Sequence, residues 1–526
     1  MKLNYKRIIL VGFAFFLIQA FWQAYDNTIP MILTNKFGMS QAWSGAIMAL
    51  DNVLALFMLP LFGAISDKHH SKWGRRTPFI VVGTLIAAVM LIALSFVDNA
   101  QLHHISDVAA IDDPAALETI YDREADETLL TPGGQKFVLS RQFTKEEFTQ
   151  IRSQITVDGA AVTNPDYTNY VMPARQACAW DATAKSPVTL VFFIALLLVI
   201  LVSMAVFRSP AVALMPDVTL KPLRSKANAV INLMGSAGGI LVLVLGMVFA
   251  TSAVRNSLMN YIGYFAVIAA IMLAALVVFM LTVRENEWAA EMQQQSVELG
   301  LEDKEEAATG ERKLSVDEVK SLIFLLLSIV LWFFGYNAVT SKYSVYASNI
   351  LHKDYNLTLI IAQAAAIISY LPVGFIASRV GRKKTILAGV IMLTAAFTTA
   401  SFMSAESPTM LMNAMFALAG IAWATINVNS FPMVVEMCSG GNVGKYTGFY
   451  YTASMAAQVA TPMLSGLLMD RMGMHVLFPY PGQSLYGRYR QHVLWRHGHG
   501  AGLCDHAVRP PRRQQAGGQM GAGSSG

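Results

Sequence analysis

Eleven runs of mostly apolar residues recur along the chain, near 8–33, 41–66, 78–97, 187–207, 227–250, 258–283, 320–345, 357–378, 385–404, 408–428 and 446–469. About 20 such residues cross the hydrocarbon core of a bilayer as an α-helix. Lipid offers the backbone no hydrogen-bond partner, so each N–H and C=O must be satisfied within its own segment. These two facts predict an all-α membrane protein. Composition agrees: 54% of the 526 residues are apolar and 14% are charged, against about 25% charged in soluble domains. The net charge of +5 carries no nucleic-acid signal. Cys178, Cys438 and Cys504 share no metal-ligand spacing, and no disulfide framework follows from them. The first run is too long for a signal-peptide core, so it is read as a retained first span.

Basic residues orient such a chain, because short cytoplasmic turns carry an excess of Lys and Arg. The turn after the second span holds Lys68, Lys72, Arg75 and Arg76. The fourth is followed by Arg208, Lys221, Arg224 and Lys226, and the eighth by Arg379, Arg382, Lys383 and Lys384. The N-terminus is therefore expected in the cytoplasm and residues 98–186 outside. That insert holds 14 acidic and 7 basic residues. Its mixed polar and aromatic composition predicts a small folded cap with strands around Lys136–Leu139 and Gln154–Val157. Residues 284–319, rich in Glu and Lys, read as a solvated helical linker on the cytoplasmic side.

The chain repeats itself. Trp22, Tyr25, Asp26 and Asn27 in the first span match Trp332, Tyr336 and Asn337 in the seventh, with Trp five residues before Asn in both. Asn27 to Gly63 is 36 residues; Asn337 to Gly374 is 37. Each glycine opens a similar turn: Gly63 to Asp67 then Gly74, Arg75 and Arg76; Gly374 to Ser378 then Gly381, Arg382 and Lys383. A looser third pair is Pro210 to Asp217 against Pro432 to Glu436. Same-direction repeats of six spans joined by a linker resemble the layout of major facilitator carriers, whose binding site lies between the halves near the midplane. Twelve spans are expected for that layout, and eleven are evident. The expected domains are an N-terminal lobe (1–283, with the insert at 98–186 between the third and fourth spans), the linker, a C-terminal lobe (320–480) and a tail (481–526).

Ser66, Asp67, Ser71, Gly74, Arg75, Arg76, Pro78, Phe79 and Ile80 stand at the spacing of a signature that resembles sucrose-transporter-like proteins, within or beside the glycoside–pentoside–hexuronide cation symporters. The segment from Arg208 to Asp217, and Arg224 with Asn228, resembles that group's helix 4–5 motif. The resemblance implies proton-coupled uptake of a glucoside such as sucrose or maltose, with no cofactor beyond the coupling ion. The chain departs from sodium-coupled melibiose carriers: Val188–Phe207 contains no acidic residue, and the paired acids of their second helix are missing. A sodium-coupled glycoside carrier, or a carrier of another small solute such as a polyol or drug, is the alternative within transport, and a non-transporting sugar sensor the alternative of another class. No nucleophile–base pair, phosphate loop or metal cluster points to an enzyme. The expected partners are a small sugar and the bilayer, the expected state a monomer, and the expected location a bacterial inner (plasma) membrane.

Ionisable and polar groups at membrane depth are costly and are functional candidates by default. Gln19, Trp22, Gln23, Asp26, Asn27 and Pro30 recur at helical spacing on the first span. Trp332, Tyr336, Asn337, Thr340 and Tyr343 mark the seventh, and Trp423 and Asn427 the tenth. Amides serve sugar hydroxyls, and aromatic faces serve the C–H side of the ring. Asp26 and Asp51 are the candidate proton carriers, since desolvation disfavours the anion of an acid with no basic neighbour in its own span. Gly63, Asp67, Gly74, Arg75, Arg76, Gly374, Arg379, Gly381 and Arg382 form the candidate cytoplasmic gate, with Asp67 pairing Arg75 or Arg76. Lys342, near a span end, is expected to snorkel. Residues 481–526 hold six Arg, no Lys, ten Gly and four His, with no run long enough to span; a frameshifted reading frame is expected there, with a natural disordered tail as the alternative.

Overall fold

The computed structural model describes residues 3–157, 160–220, 223–299, 316–435 and 443–477. The tail, residues 300–315 of the linker, Lys221, Glu436, Cys438 and Cys504 lie outside the described residues. In chain order the first elements are α1 (Tyr5–Asn35), α2 (Gln41–Met48), α3 (Leu50–Lys68) and α4 (Thr77–His104). The insert follows, with α5 (Ser106–Ala109), α6 (Pro114–Glu124), β1 (Leu129–Leu130), β2 (Lys136–Phe137), α7 (Leu139–Gln142), α8 (Lys145–Thr149), β3 (Gln154–Val157), β4 (Ala160–Thr163) and α9 (Met172–Lys185). Next come α10 (Val188–Asp217), α11 (Arg224–Val248), α12 (Ile262–Thr282) and α13 (Glu285–Glu298). The second half holds α14 (Val316–Thr340), α15 (Tyr343–Tyr346), α16 (Tyr355–Val380), α17 (Arg382–Ser401), α18 (Thr409–Val435) and α19 (Val443–Met472). Among the described residues nine helices are long and apolar enough to cross a membrane, α2 and α3 counting together. The other two apolar runs fall on α16 and α19, which are 26 and 30 residues long and interrupted by polar side chains.

The repeat seen in sequence reappears as packing. In the first half α1 lies on α11, α3 on α10 and α4 on α10; in the second, α14 lies on α19, α16 on α18 and α17 on α18. Small residues permit the approach, as expected where lipid supplies no hydrophobic drive between helices. A Cβ built on Gly238 would stand 2.4 Å from the carbonyl oxygen of Phe16, and one on Gly420 2.0 Å from that of Ala362. Gly74 and Gly381, at matching places in the two repeats, both adopt positive φ, 113° and 93°. That conformation suits glycine and strains other residues.

The insert is folded, with an apolar core that includes Leu117, Ile120, Phe148 and Tyr167. Two short antiparallel hairpins occur, β1 with β2 and β3 with β4. The strand expected over Lys136–Leu139 is shorter, because Leu139 already begins α7. The turn of the first hairpin rests on the end of α19, where the Met474 N–H donates to the Pro132 carbonyl at 2.7 Å. Cys178 is buried, and its thiol is free. The linker departs from a freely solvated helix at its start, since Glu285 and Trp288 in the first turn of α13 are buried.

Candidate functional site

Helical spacing puts Gln19, Trp22, Gln23, Asp26 and Asn27 on one face of α1, and that face lines a cavity between the halves. Its volume is about 440 Å³, within the roughly 300–1,000 Å³ of small-molecule sites. Asp51, Tyr336, Asn337 and Trp423 line it too. Asn27 and Asn337, equivalent in the repeat, therefore meet in one chamber. Trp332 and Asn427 do not line it. Trp332 packs behind Trp423, with ring centroids 5.2 Å apart, and the Asn427 side chain hydrogen-bonds Tyr370, which itself lines the wall.

The aromatic wall is a stack: Tyr336 lies on Trp423 with centroids 4.0 Å apart and planes inclined by 22°. Facing it, the Trp22 indole N–H is buried and has no acceptor among the described residues. A buried donor without a partner costs stability. Asp26 is exposed to the cavity. Asp51, half-buried, accepts from the Asn52 amide at 2.7 Å. Gln363 on α16 donates to Gln23 on α1 across the chamber.

Arg208 overturns one expectation. The apolar run ends at Phe207, which predicts a basic turn there; α10 instead continues to Asp217 and carries Arg208 into the cavity wall. Its guanidinium stands 5.6 Å from the Trp22 ring centroid and interacts electrostatically with both Asp26 and Asp51. Two carboxylates and one guanidinium thus share the chamber.

The candidate gate is larger than a turn. Arg76, 4% exposed, joins Asp67 to Asp217, with its Nε 2.8 Å from Asp217 Oδ2. Arg75 Nη2 lies 2.6 Å from Asp217 Oδ1. Glu285 Oε1 accepts the backbone N–H groups of Arg75 and Arg76 at 2.8 Å, and its Oε2 accepts the backbone N–H and the hydroxyl of Thr77. All these partners belong to the first half except Glu285, which opens the linker helix α13. Asp217 thus works with the gate rather than with Asn228, whose side chain is exposed. Gly63 meets only the Ser209 hydroxyl, at 2.9 Å from a built Cβ, and Gly374 has open space around it, so close helix approach does not explain Gly374. Arg379 is exposed and Arg382 opens α17 half-buried. A Cβ on Gly74 would stand 2.2 Å from the Glu285 carboxylate. Gly74→Ala is therefore expected to lower the thermal midpoint of the detergent-purified protein by several degrees, as strain of roughly 1–3 kcal/mol does; an unchanged midpoint would remove Glu285 as the anchor of this turn.

At the insert-bearing end the halves are joined. Asp470 of α19 accepts the N–H groups of Gln41 and Ala42, the first turn of α2, both at 2.8 Å. Lys342 does not snorkel: it is fully buried and donates to the Gln41 carbonyl at 2.8 Å. Nearby the Thr251 and Tyr355 hydroxyls bond at 2.7 Å. A second buried cation, Lys36, donates to both oxygens of Asp98 at 2.7 and 2.6 Å and to the Met259 carbonyl at 2.8 Å.

A family model described as Major Facilitator Superfamily matches residues 176–368 and 349–481, together more than half of the chain. The chain belongs to the major facilitator superfamily. A second model, MFS/sugar transport protein, matches residues 10–103. This is a family of transporters, not enzymes. Two sucrose transport proteins of Arabidopsis thaliana, SUC3 and SUC4, are 39% identical over 67 residues and 36% over 59, which is 13% and 11% of this facilitator. The matches span only about a tenth of those relatives, 11% and 12%. Among solved structures, the inward-open xylose transporter XylE from E. coli aligns with a TM-score of 0.52 at 14% identity, covering 90% of this chain and 95% of that one. A bacterial homologue of the iron transporter ferroportin, inward-facing, aligns at 0.56 and 13% identity, covering 95% and 100%. At such identity these two show the fold alone.

Sequence reasoning missed several cavity residues of this facilitator: Gln363, Gln458, Tyr370 and Asn52. Gln363 and Gln458 interrupt apolar runs, the same signal that picked out Gln19 and Gln23. Lys36 and Asp98 gave none, being 62 residues apart.

Proposed function

We propose that the chain is a secondary transporter that takes up a neutral sugar of the glucoside or disaccharide class together with a proton, by alternating access between its two halves. The observation that carries this reading is the shared chamber. A stacked aromatic pair, amides, two carboxylates and one guanidinium meet between the halves. Pyranose rings offer a C–H face to the Tyr336–Trp423 stack and hydroxyl edges to Gln23, Asn27 and Asn337. Asp26 and Asp51 are the proton carriers of the proposal. Arg208 supplies a positive charge that either anion can pair with, so protonating one carboxylate changes which pairings hold the chamber together. The partial likeness to sucrose transport proteins and the sugar-transport family model support the cargo class. The basic turn at Lys68, Lys72, Arg75 and Arg76, at the end away from the insert, supports a cytoplasmic N-terminus in a plasma membrane; Arg208 no longer contributes to that count.

The test is uptake of radiolabelled maltose and sucrose into vesicles, with a pH gradient, with a sodium gradient and with neither. Accumulation driven by the pH gradient alone is expected. Accumulation that needs sodium and ignores pH overturns the coupling, and no saturable uptake of either sugar overturns the cargo class. Trp423→Ala is expected to raise the half-saturating sugar concentration about tenfold, equivalent to about 1.4 kcal/mol, at a nearly unchanged maximal rate. An unchanged half-saturation would take the stack out of the site.

A further inference from the structure

A second cavity, of about 500 Å³, lies at the insert-bearing end. Three parts of the chain wall it: the insert, the α1–α2 connection, and the second half through Asn349, Met469, Asp470 and Met474. Two tryptophans from separate elements, Trp43 of α2 and Trp180 of α9, face it and are 65% and 42% exposed. The fold holds Trp180 there by close packing. Gly38 has φ 66°, and a Cβ on it would stand 2.3 Å from both the Gln176 carbonyl and the Trp180 N–H nitrogen. Gln176 is fixed through its amide, which donates to Asn35 Oδ1 at 2.9 Å. The hairpin roof is fixed by the Met474–Pro132 hydrogen bond.

The lining selects a chemistry. Among its residues there is no Lys, Arg or His, so phosphate or carboxylate ligands lack a counter-charge. Both oxygens of Asp470, the acid among them, already accept N–H groups of α2, which weakens any pull on a cation. What remains is an apolar surface of two indoles, Leu130 and four methionines, with the amides and hydroxyls of Gln176, Asn349, Ser40 and Thr131 set in it, a mixture suited to a neutral ring with C–H faces and hydroxyl edges. Gln41 and Asp470, a pair that bonds across the halves, also line it.

We propose that this cavity is a second saccharide site, outside the seal between the halves, and that a sugar bound there holds the seal shut because its walls come from both halves. The inference rests on the reading of the chain as a saccharide carrier. Filling the site slows the carrier's return to the state open on that side. Uptake should therefore fall at high external sugar, after passing through a maximum.

The test is calorimetric binding of maltose to the full-length purified protein, alongside uptake measured over a wide range of external maltose. The parent is expected to show two binding components and inhibition at high maltose. Trp43→Ala with Trp180→Ala is expected to lose one component and the inhibition, while uptake at low maltose stays unchanged. Gln176→Ala, a smaller change, is expected to weaken the same component at least threefold, which guards against misfolding of the double variant. Trp423→Ala is expected to keep that component and weaken the other. A single component that Trp423→Ala weakens and both outer variants leave intact overturns the second site and leaves the central one standing. Displacement of the outer component by choline overturns its assignment to saccharides. A component lost in the outer variants but untouched by Trp423→Ala, without uptake, keeps the second site and sinks the carrier reading.

Discussion

Vesicles containing the Asp51→Asn variant are expected to accumulate no sugar above the level reached without a pH gradient, while sugar already equilibrated across the membrane continues to exchange. The amide keeps the shape and the hydrogen-bonding edge of the acid but cannot release a proton. Uphill transport needs a proton to be taken up on one side and given off on the other, whereas exchange needs only the loaded carrier to move. Asp51 lines the chamber with Asp26, and both feel the charge of Arg208. Asp26→Asn is expected to reduce accumulation too, and the ratio of the two defects will assign the principal carrier. Full accumulation by both variants would exclude this pair from coupling.

A Gly45→Trp or Gly466→Val variant is expected to lose net uptake almost completely and to remain open on the insert-bearing side. A Cβ on Gly45 would stand 2.0 Å from the Pro462 carbonyl oxygen, and one on Gly466 2.1 Å from that of Gln41. The backbones of α2 and α19 thus meet with nothing between them, and interiors packed this tightly do not absorb an inserted side chain. The measurement is labelling of Asn337→Cys, in a background without the native cysteines, by a membrane-impermeant maleimide added on that side. Faster labelling in the glycine variants is the expected result. Equal labelling with full uptake would mean that this contact is not the seal.

The helical architecture was legible because lipid imposes one rule on every span, and the repeat because it preserved spacing from Asn27 to Gly63 and from Asn337 to Gly374. The polar face of α1 was legible for the same reason: a helix has one period, and polar side chains stand out against an apolar background. What the sequence hid was pairing at long range. Glu285 reaches a turn more than 200 residues earlier, and Lys342 reaches Gln41 across 301. Arg208 was misplaced because hydropathy marks where apolar residues stop, not where the helix does, and α10 runs nearly three turns past Phe207. Trp332 and Trp423 looked equivalent as letters; only packing shows that one screens the other from the chamber.

Lys342 and Asp470 both grip the same strip of α2 from the opposite half. Drawing that strip away would strand an ammonium and a carboxylate at once, each in a place where a solitary ion is expensive. Lys342 and Asp470 also interact electrostatically, so the departure of α2 would disturb both together. In the proposed transport cycle, parting the halves at this rim would therefore break both grips in one step.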